Sequence, residues 1–168
     1  MDETLLIRPA DLDDINTIGY LAQQIWPDTY GDILSPEQLK YMLKLIYSPR
    51  SLRRQMIDEH QQFLILEQAE EPIGFASWST TQTPGVYKLH KIYVQTGRQG
   101  KGLGKILLQF IFQTIRPEGA GKLRLNVNRY NKARQFYERM GFTVIGEEDI
   151  DIGHGYFMND YIMEIPVP

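Results

Sequence analysis

The residues best suited to chemistry begin with the run "VQTGRQGKGLGK", residues 94–105, which leads straight into an amphipathic segment. Amides at a helix N-terminus lack intrahelical acceptors, and glycines let those amides come close to a ligand. A glycine turn that opens a helix is therefore a cradle for an anion such as a phosphate. Arg98, Lys101 and Lys105 add charge at the positive end of the helix dipole. Glycine content also allows a plain flexible connection. Two phosphate motifs fail. A P-loop closing at Gly104-Lys105 needs Gly at 99 and Ser or Thr at 106, where the chain has Gln99 and Ile106. The dinucleotide spacing G-x-G-x-x-G fails because Lys105 and Leu107 occupy the third glycine position in its two registers. What fits is Gln99-x-x-Gly102-x-Gly104. Two further groups carry titratable side chains, Tyr137 within "NKARQFYERMGF" and His90 within "VYKLHKIYV".

The elements that must position these residues follow from periodicity. Thr4 to Arg8 has the pattern of a strand, and the acids between Asp11 and Asp14 mark a helix start. Apolar Ile15, Ile18, Leu21, Ala22 and Ile25 follow at helical spacing, with an end expected before Pro27. A second helix opens at Ser35 as N-cap, with Pro36 at its first position and Gln38 completing a capping box, and a third helical piece starts at Ser48-Pro49. "FLILEQ", "IGFASWST" and "VYKLHKIYV" then read as consecutive antiparallel strands. After the glycine turn, Leu103, Leu107, Leu108, Ile111 and Ile115 line one face of a helix stopped by Pro117, and "LRLNV" is the next strand. Strand, helix and strand of this length form a right-handed crossover between parallel strands. Ala133, Phe136, Tyr137 and Met140 make a last helical stripe ended by Gly141, and a hairpin turning near Gly153-His154-Gly155 closes the chain.

With 168 residues and 42% hydrophobic content, the chain reads as one domain with an ordinary core. Eighteen Lys and Arg against 21 Asp and Glu give a formal charge of -3, so no global signal favours nucleic acid or an anionic membrane surface. The absence of cysteine excludes disulfides, thiolate zinc sites and a cysteine nucleophile, and three scattered histidines speak against a metal site. No segment has the pattern of a signal peptide or a membrane span, so a cytoplasmic location is expected.

On two motifs the chain resembles the GNAT acyltransferase superfamily. Gln99-Gly-Lys-Gly102-Leu-Gly104 matches its Q/R-x-x-G-x-G/A signature. "NKARQFYERMGF" matches its N-x-x-A-x-x-F-Y-x-x-x-G-F motif, with Asn131 one residue closer to Ala133 than the pattern has it. The order of elements agrees over nearly the whole chain, and "WPDTYGDILSPEQLKYML" and "FMNDYIMEI" are similar to the PaiA-type polyamine acetyltransferase branch. The resemblance implies an α/β (α+β) fold whose mixed, mostly antiparallel sheet has about seven strands flanked by helices. The fourth and fifth strands run parallel and splay apart. Acetyl-CoA, the implied cosubstrate, enters that gap, with its pyrophosphate on Arg98, Gln99, Gly100, Lys101, Gly102, Leu103, Gly104 and Lys105. Its pantetheine arm lies along Ile92, Tyr93 and Val94, with Asn126 and Asn131 also on the cofactor side. No metal is implied.

Acyl transfer to an amine needs a neutral amine, stabilisation of an oxyanion and a proton for the departing thiolate. By resemblance Tyr137 is the general acid, although its place on an apolar stripe also suits a core tyrosine. Backbone amides at Tyr93 or Val94 would meet the oxyanion. His90 is either the base, as in the serotonin N-acetyltransferase branch, or a hydrogen-bonded sheet histidine with water as the base. It shares a strand face with Ile92 and Val94 if no bulge intervenes. Asn131 also suits a helix N-cap. Trp26, Tyr30 and Asp32 put aromatic faces and a carboxylate where the family's acceptor pocket lies, and this suits a cationic small-molecule amine. Packing and helix capping explain the same residues. The expected activity is acetyl transfer to a small amine, polyamine-like by preference. The alternatives are a protein N-terminal or lysine acetyltransferase and a non-catalytic acyl-CoA binding module. The sequence leaves assembly open, a homodimer included.

Overall fold

A computed structural model describes residues 4–98 and 102–168. Gln99, Gly100 and Lys101, assigned above to the phosphate turn, lie outside the described residues. The strands are β1 (Leu5–Ala10), β2 (Gln62–Gln68), β3 (Glu71–Thr80), β4 (Val86–Val94), β5 (Lys122–Asn128), β6 (Thr143–Gly153) and β7 (Tyr156–Pro166). The helices are α1 (Ile15–Tyr30), α2 (Pro36–Tyr47), α3 (Pro49–Ile57), α4 (Leu103–Ile115) and α5 (Ala133–Arg139). Strand order is β1-β2-β3-β4-β5-β7-β6. Neighbours run antiparallel except β4 and β5, which are parallel, as expected of a strand–helix–strand crossover.

The period-2 alternation of the strands gives the sheet two covered faces. On one, Leu64, Ala76, Leu89, Leu125 and Met163 pack with Leu108, Ile111 and Ile115 of α4 and with Tyr137 of α5. On the other, Phe63, Ile65 and Phe75 pack with Ile18, Leu21 and Ile25 of α1, Leu43 and Tyr47 of α2 and Leu52 of α3.

Two local expectations are corrected. Helix α1 does not stop before Pro27 but runs through it to Tyr30, and the amide of Gly31 bonds the Pro27 carbonyl at 2.9 Å. A proline inside a helix costs about 3 kcal/mol. The turn after the proline carries Tyr30, buried against Trp26 and bonded to Tyr93, and that tertiary packing works against the local cost. At α2 only half of the capping box forms. Ser35 Oγ accepts from the Gln38 amide at 3.1 Å, while the Gln38 side chain donates to the Phe157 carbonyl on the final hairpin at 3.0 Å.

The gap that the family resemblance implies is present. The β4–β5 ladder ends at Leu89↔Leu125, after which β4 continues five residues to Val94 and β5 three residues to Asn128. At the same point the β3–β4 register shifts, with Ser77 opposite Lys91 and Trp78 opposite Leu89. This leaves His90 as the extra residue of a β-bulge. A bulge bends its strand and increases its twist, and here it lies where β4 parts from β5.

Candidate active site at the gap between β4 and β5

Helix α4 begins beside the mouth of the gap. Gly102 is its N-cap at φ +74°, a left-handed conformation that favours glycine, and an added Cβ there would meet no atom of the described residues within 4 Å. Among the described residues nothing crowds this N-cap, which leaves room for a phosphate group at the first amides of α4. Gly104 answers a different demand. A Cβ there would lie 3.4 Å from the Phe136 ring, so α4 and α5 approach closely at this position. Lys105 is exposed on the first turn of α4. Arg98 is tied back onto the β2–β3 hairpin, bonding the Gln68 side chain and pairing with Glu71 at 3.5 Å.

Tyr137 projects from α5 into the core between Phe136 and Phe142, with ring centroids 5.4 and 5.5 Å away. Burial pushes its phenol well above the ordinary tyrosine range, so the proton stays on oxygen at neutral pH. The Tyr137 hydroxyl has no hydrogen-bond partner among the described residues. A proton donor must hold its proton and keep its hydroxyl free, as this phenol does, although the same burial makes it a weaker acid until charge develops on the departing sulfur. Asn131 stands just ahead of α5, where its Oδ1 accepts from the Ala133 amide at 2.9 Å, so its capping role is present. Its Nδ2 reaches the Tyr30 hydroxyl at 3.5 Å.

Tyr30 and Tyr93 join hydroxyls at 3.0 Å across the helix–sheet boundary, and Trp26 backs both with centroids 4.5 and 5.9 Å away. Trp26 is 3% exposed and belongs to the core, where it supports Tyr30. Asp32 lies exposed in the loop before α2. Ile92 packs toward α4, the face opposite Tyr93.

The bulge settles the orientation of His90. It does not share the face of Ile92 and Val94, because the extra residue shifts the alternation. The imidazole bonds Ser79 Oγ at 2.8 Å on the face that carries α1. Burial first, and then the charges of Lys91 and Lys88, lower its pKa to about 3. The adjacent Lys91 is also buried, donating to Gln61 Oε1 at 3.0 Å, and desolvation lowers its pKa to about 7.

On that same face Asn126, read from the sequence as a cofactor-side residue, joins two carboxylates that sequence reasoning missed. Asn126 Nδ2 donates to Asp160 Oδ2 at 3.3 Å and to Glu148 Oε1 at 3.2 Å, linking carboxylates of β7 and β6 to β5. Asp160 is 5% exposed, and burial raises its pKa. One signal was available. In "YFMNDYIMEI" the residues that alternate with Asp160 on either side are Met158 and Ile162, so an acid interrupts an apolar stripe. Among the described residues no cluster of three or more metal-ligating side chains occurs, and no helix is long and apolar enough to cross a membrane.

The acetyltransferase (GNAT) domain profile matches residues 32–157 of this chain, well over half its length. The chain belongs to the GNAT acetyltransferase family. As a GNAT enzyme it is an acetyl-CoA-dependent N-acetyltransferase, and the gap with the open N-terminus of α4 fits that cosubstrate. Among solved structures it is similar to the PaiA N-acetyltransferase of Thermoplasma acidophilum in complex with coenzyme A, at a TM-score of 0.81 and 26% identity, covering 97% of this chain and 99% of that one. Among characterised sequences it is 27% identical over 163 residues to a spermidine N(1)-acetyltransferase of Thermoplasma acidophilum, covering 94% of each. A shorter stretch of 60 residues is 48% identical to the 5-NmdU N-acetyltransferase of Pseudomonas phage PaMx11, and that match spans 41% of the phage protein.

Proposed function

We propose that this GNAT enzyme acetylates a primary amine of a small cationic molecule, with a polyamine as the favoured class. The observation that carries the reading is the pair of carboxylates, Asp160 and Glu148, bridged by Asn126 on the α1 face of the sheet beside the gap. Anions held there suit an acceptor that keeps one ammonium charged while another reacts. The likeness to a spermidine N(1)-acetyltransferase along nearly the full length of both chains points the same way.

In this reading acetyl-CoA supplies a thioester-activated acetyl group. The chain supplies the rest. The amides at the N-terminus of α4 hold the phosphates, and the edge of β4 beyond Leu89 offers backbone donors to the carbonyl oxygen. Tyr137 gives its proton to the leaving sulfur. Tyr30 and Tyr93 wall the acceptor side with aromatic faces.

The test is release of free CoA thiol from acetyl-CoA with spermidine, a simple diamine, a neutral-bodied monoamine, glutamate and a short peptide with a free N-terminus. Spermidine is expected to give the highest kcat/KM, and its KM is expected to rise with salt more steeply than that of the monoamine. Faster reaction of glutamate or the neutral-bodied amine would overturn the polyamine assignment. Preference for the peptide would move the acceptor class to proteins.

A further inference from the structure

We propose that the Asp160 carboxylate receives the acceptor's reacting ammonium and takes its proton. The inference rests on an amine acceptor, the chemistry of the proposed function, but not on that amine being a polyamine.

Asp160 sits on β7, an interior strand, opposite Asn128 of β5 and Glu148 of β6. One carboxylate oxygen accepts a single long bond from Asn126 at 3.3 Å, and the other, Oδ1, is buried without a hydrogen-bond partner among the described residues. Leaving a buried carboxylate oxygen unmatched is costly for a fold, and such groups concentrate where function uses them. A cationic N–H donor is what this oxygen lacks. Its charge reaches the Tyr30 phenol, raising it, and Tyr30 bonds Tyr93 on the freed part of β4 and Asn131 ahead of the helix that carries Tyr137. Asp160 thus belongs to the same cluster as the strand edge and the candidate acid.

The other titratable groups nearby are engaged elsewhere. The His90 ring is bonded to Ser79 and, at a pKa of about 3, is a weak base, while the Lys91 ammonium is bonded to Gln61. Around Asp160, burial first and then Glu148 raise its carboxyl pKa, whereas the Asn126 amide, Lys88 of β4 and Arg129 after β5 lower it.

The step balances. An N–H bond of the ammonium breaks and its proton passes to the carboxylate. The freed nitrogen lone pair forms the C–N bond as the acetyl C–S bond breaks. The second nitrogen proton replaces the one that Tyr137 gives to sulfur, so ammonium and acetyl-CoA become amide, CoA thiol and one released proton.

The experiment is the pH profile of kcat/KM with the fastest acceptor of the amine panel, alongside calorimetry of acetyl-CoA binding. In the parent enzyme an acidic limb, set by ionisation of Asp160, leads to a plateau. Asp160→Asn should keep acetyl-CoA affinity and lose about 10²–10⁴-fold in kcat/KM. Its profile should rise with the fraction of free amine through neutrality, because only amine that is already neutral reacts. A parental plateau and rate in Asp160→Asn overturns the proposal. If that variant fails to bind acetyl-CoA, Glu148→Gln on the exposed strand decides. Removing a like charge should move the acidic limb to lower pH, and an unmoved limb overturns the proposal. The polyamine assignment stands or falls separately, on the rank order of acceptors.

Discussion

The two sides of the β4–β5 gap are built from different materials. Toward α4 and α5 the wall is backbone, glycine and apolar side chain, with Gly102 at φ +74°, Gly104 against Phe136 and the Tyr137 phenol as its proposed proton donor. Toward α1 and the final hairpin the wall is polar, assembled from Tyr30, Lys88, His90, Asn126, Glu148 and Asp160. A ligand with a fixed pyrophosphate can be met by amides that every residue has, so shape and glycine placement suffice. An acceptor that must be chosen by charge and stripped of a proton needs side chains of the right type.

The sharpest way to break this comparison is to remove the proposed proton donor from the backbone wall. Tyr137→Phe should lower turnover by about 10²–10⁴-fold while leaving acetyl-CoA affinity close to parental. Calorimetry paired with single-turnover kinetics reads both quantities. Parental turnover in a folded Tyr137→Phe protein would make Tyr137 a packing residue only. A smaller effect is expected at the turn. Gly102→Val forces a β-branched side chain into a left-handed backbone at the N-cap of α4, where the phosphates are proposed to sit. Acetyl-CoA binding should weaken by about tenfold or more, roughly 1.4 kcal/mol, with the far-UV spectrum unchanged. Unchanged affinity would place the phosphates elsewhere.

The same contrast explains what the sequence revealed. The backbone wall comes from two short stretches, the turn that opens α4 and the segment around Tyr137, and the signals of each are local: a glycine turn, a helical stripe and a motif. The parallel β4–β5 pair followed from the strand–helix–strand spacing, whereas nothing local showed that β7 would insert between β5 and β6. The polar wall draws on α1, β4, β5, β6 and β7, and the contacts of Asn126 join residues 22 and 34 positions away. No local pattern announces such a meeting. Pro27 misled for a related reason, since its cost is local and the burial that offsets it is tertiary. His90 misled because a single extra residue in β4 reverses its face, and alternation read along a strand carries no mark of a bulge.

His90 offers the finest test, because its position in the polar wall and its hydrogen bond make opposite demands on a proton. If His90 were the base, His90→Gln would erase the acidic limb of kcat/KM. With the ring bonded to Ser79 and its pKa lowered to about 3, the expected outcome is a limb that stays where Asp160 sets it and a rate within a few-fold of the parent. The ring should show itself instead in stability. Its folded pKa lies below the unfolded value near 6.5, so between about pH 3 and 6.5 the unfolded chain binds the extra proton. Stability should therefore rise with pH through that window, by at most about 1.4 kcal/mol per pH unit from this group, and level off above it. His90→Gln, which can keep a bond to Ser79 but does not titrate, should flatten that part of the melting profile. A variant that loses the kinetic limb and keeps the parental melting slope would return the base to β4 and remove the reason to look for it on β7.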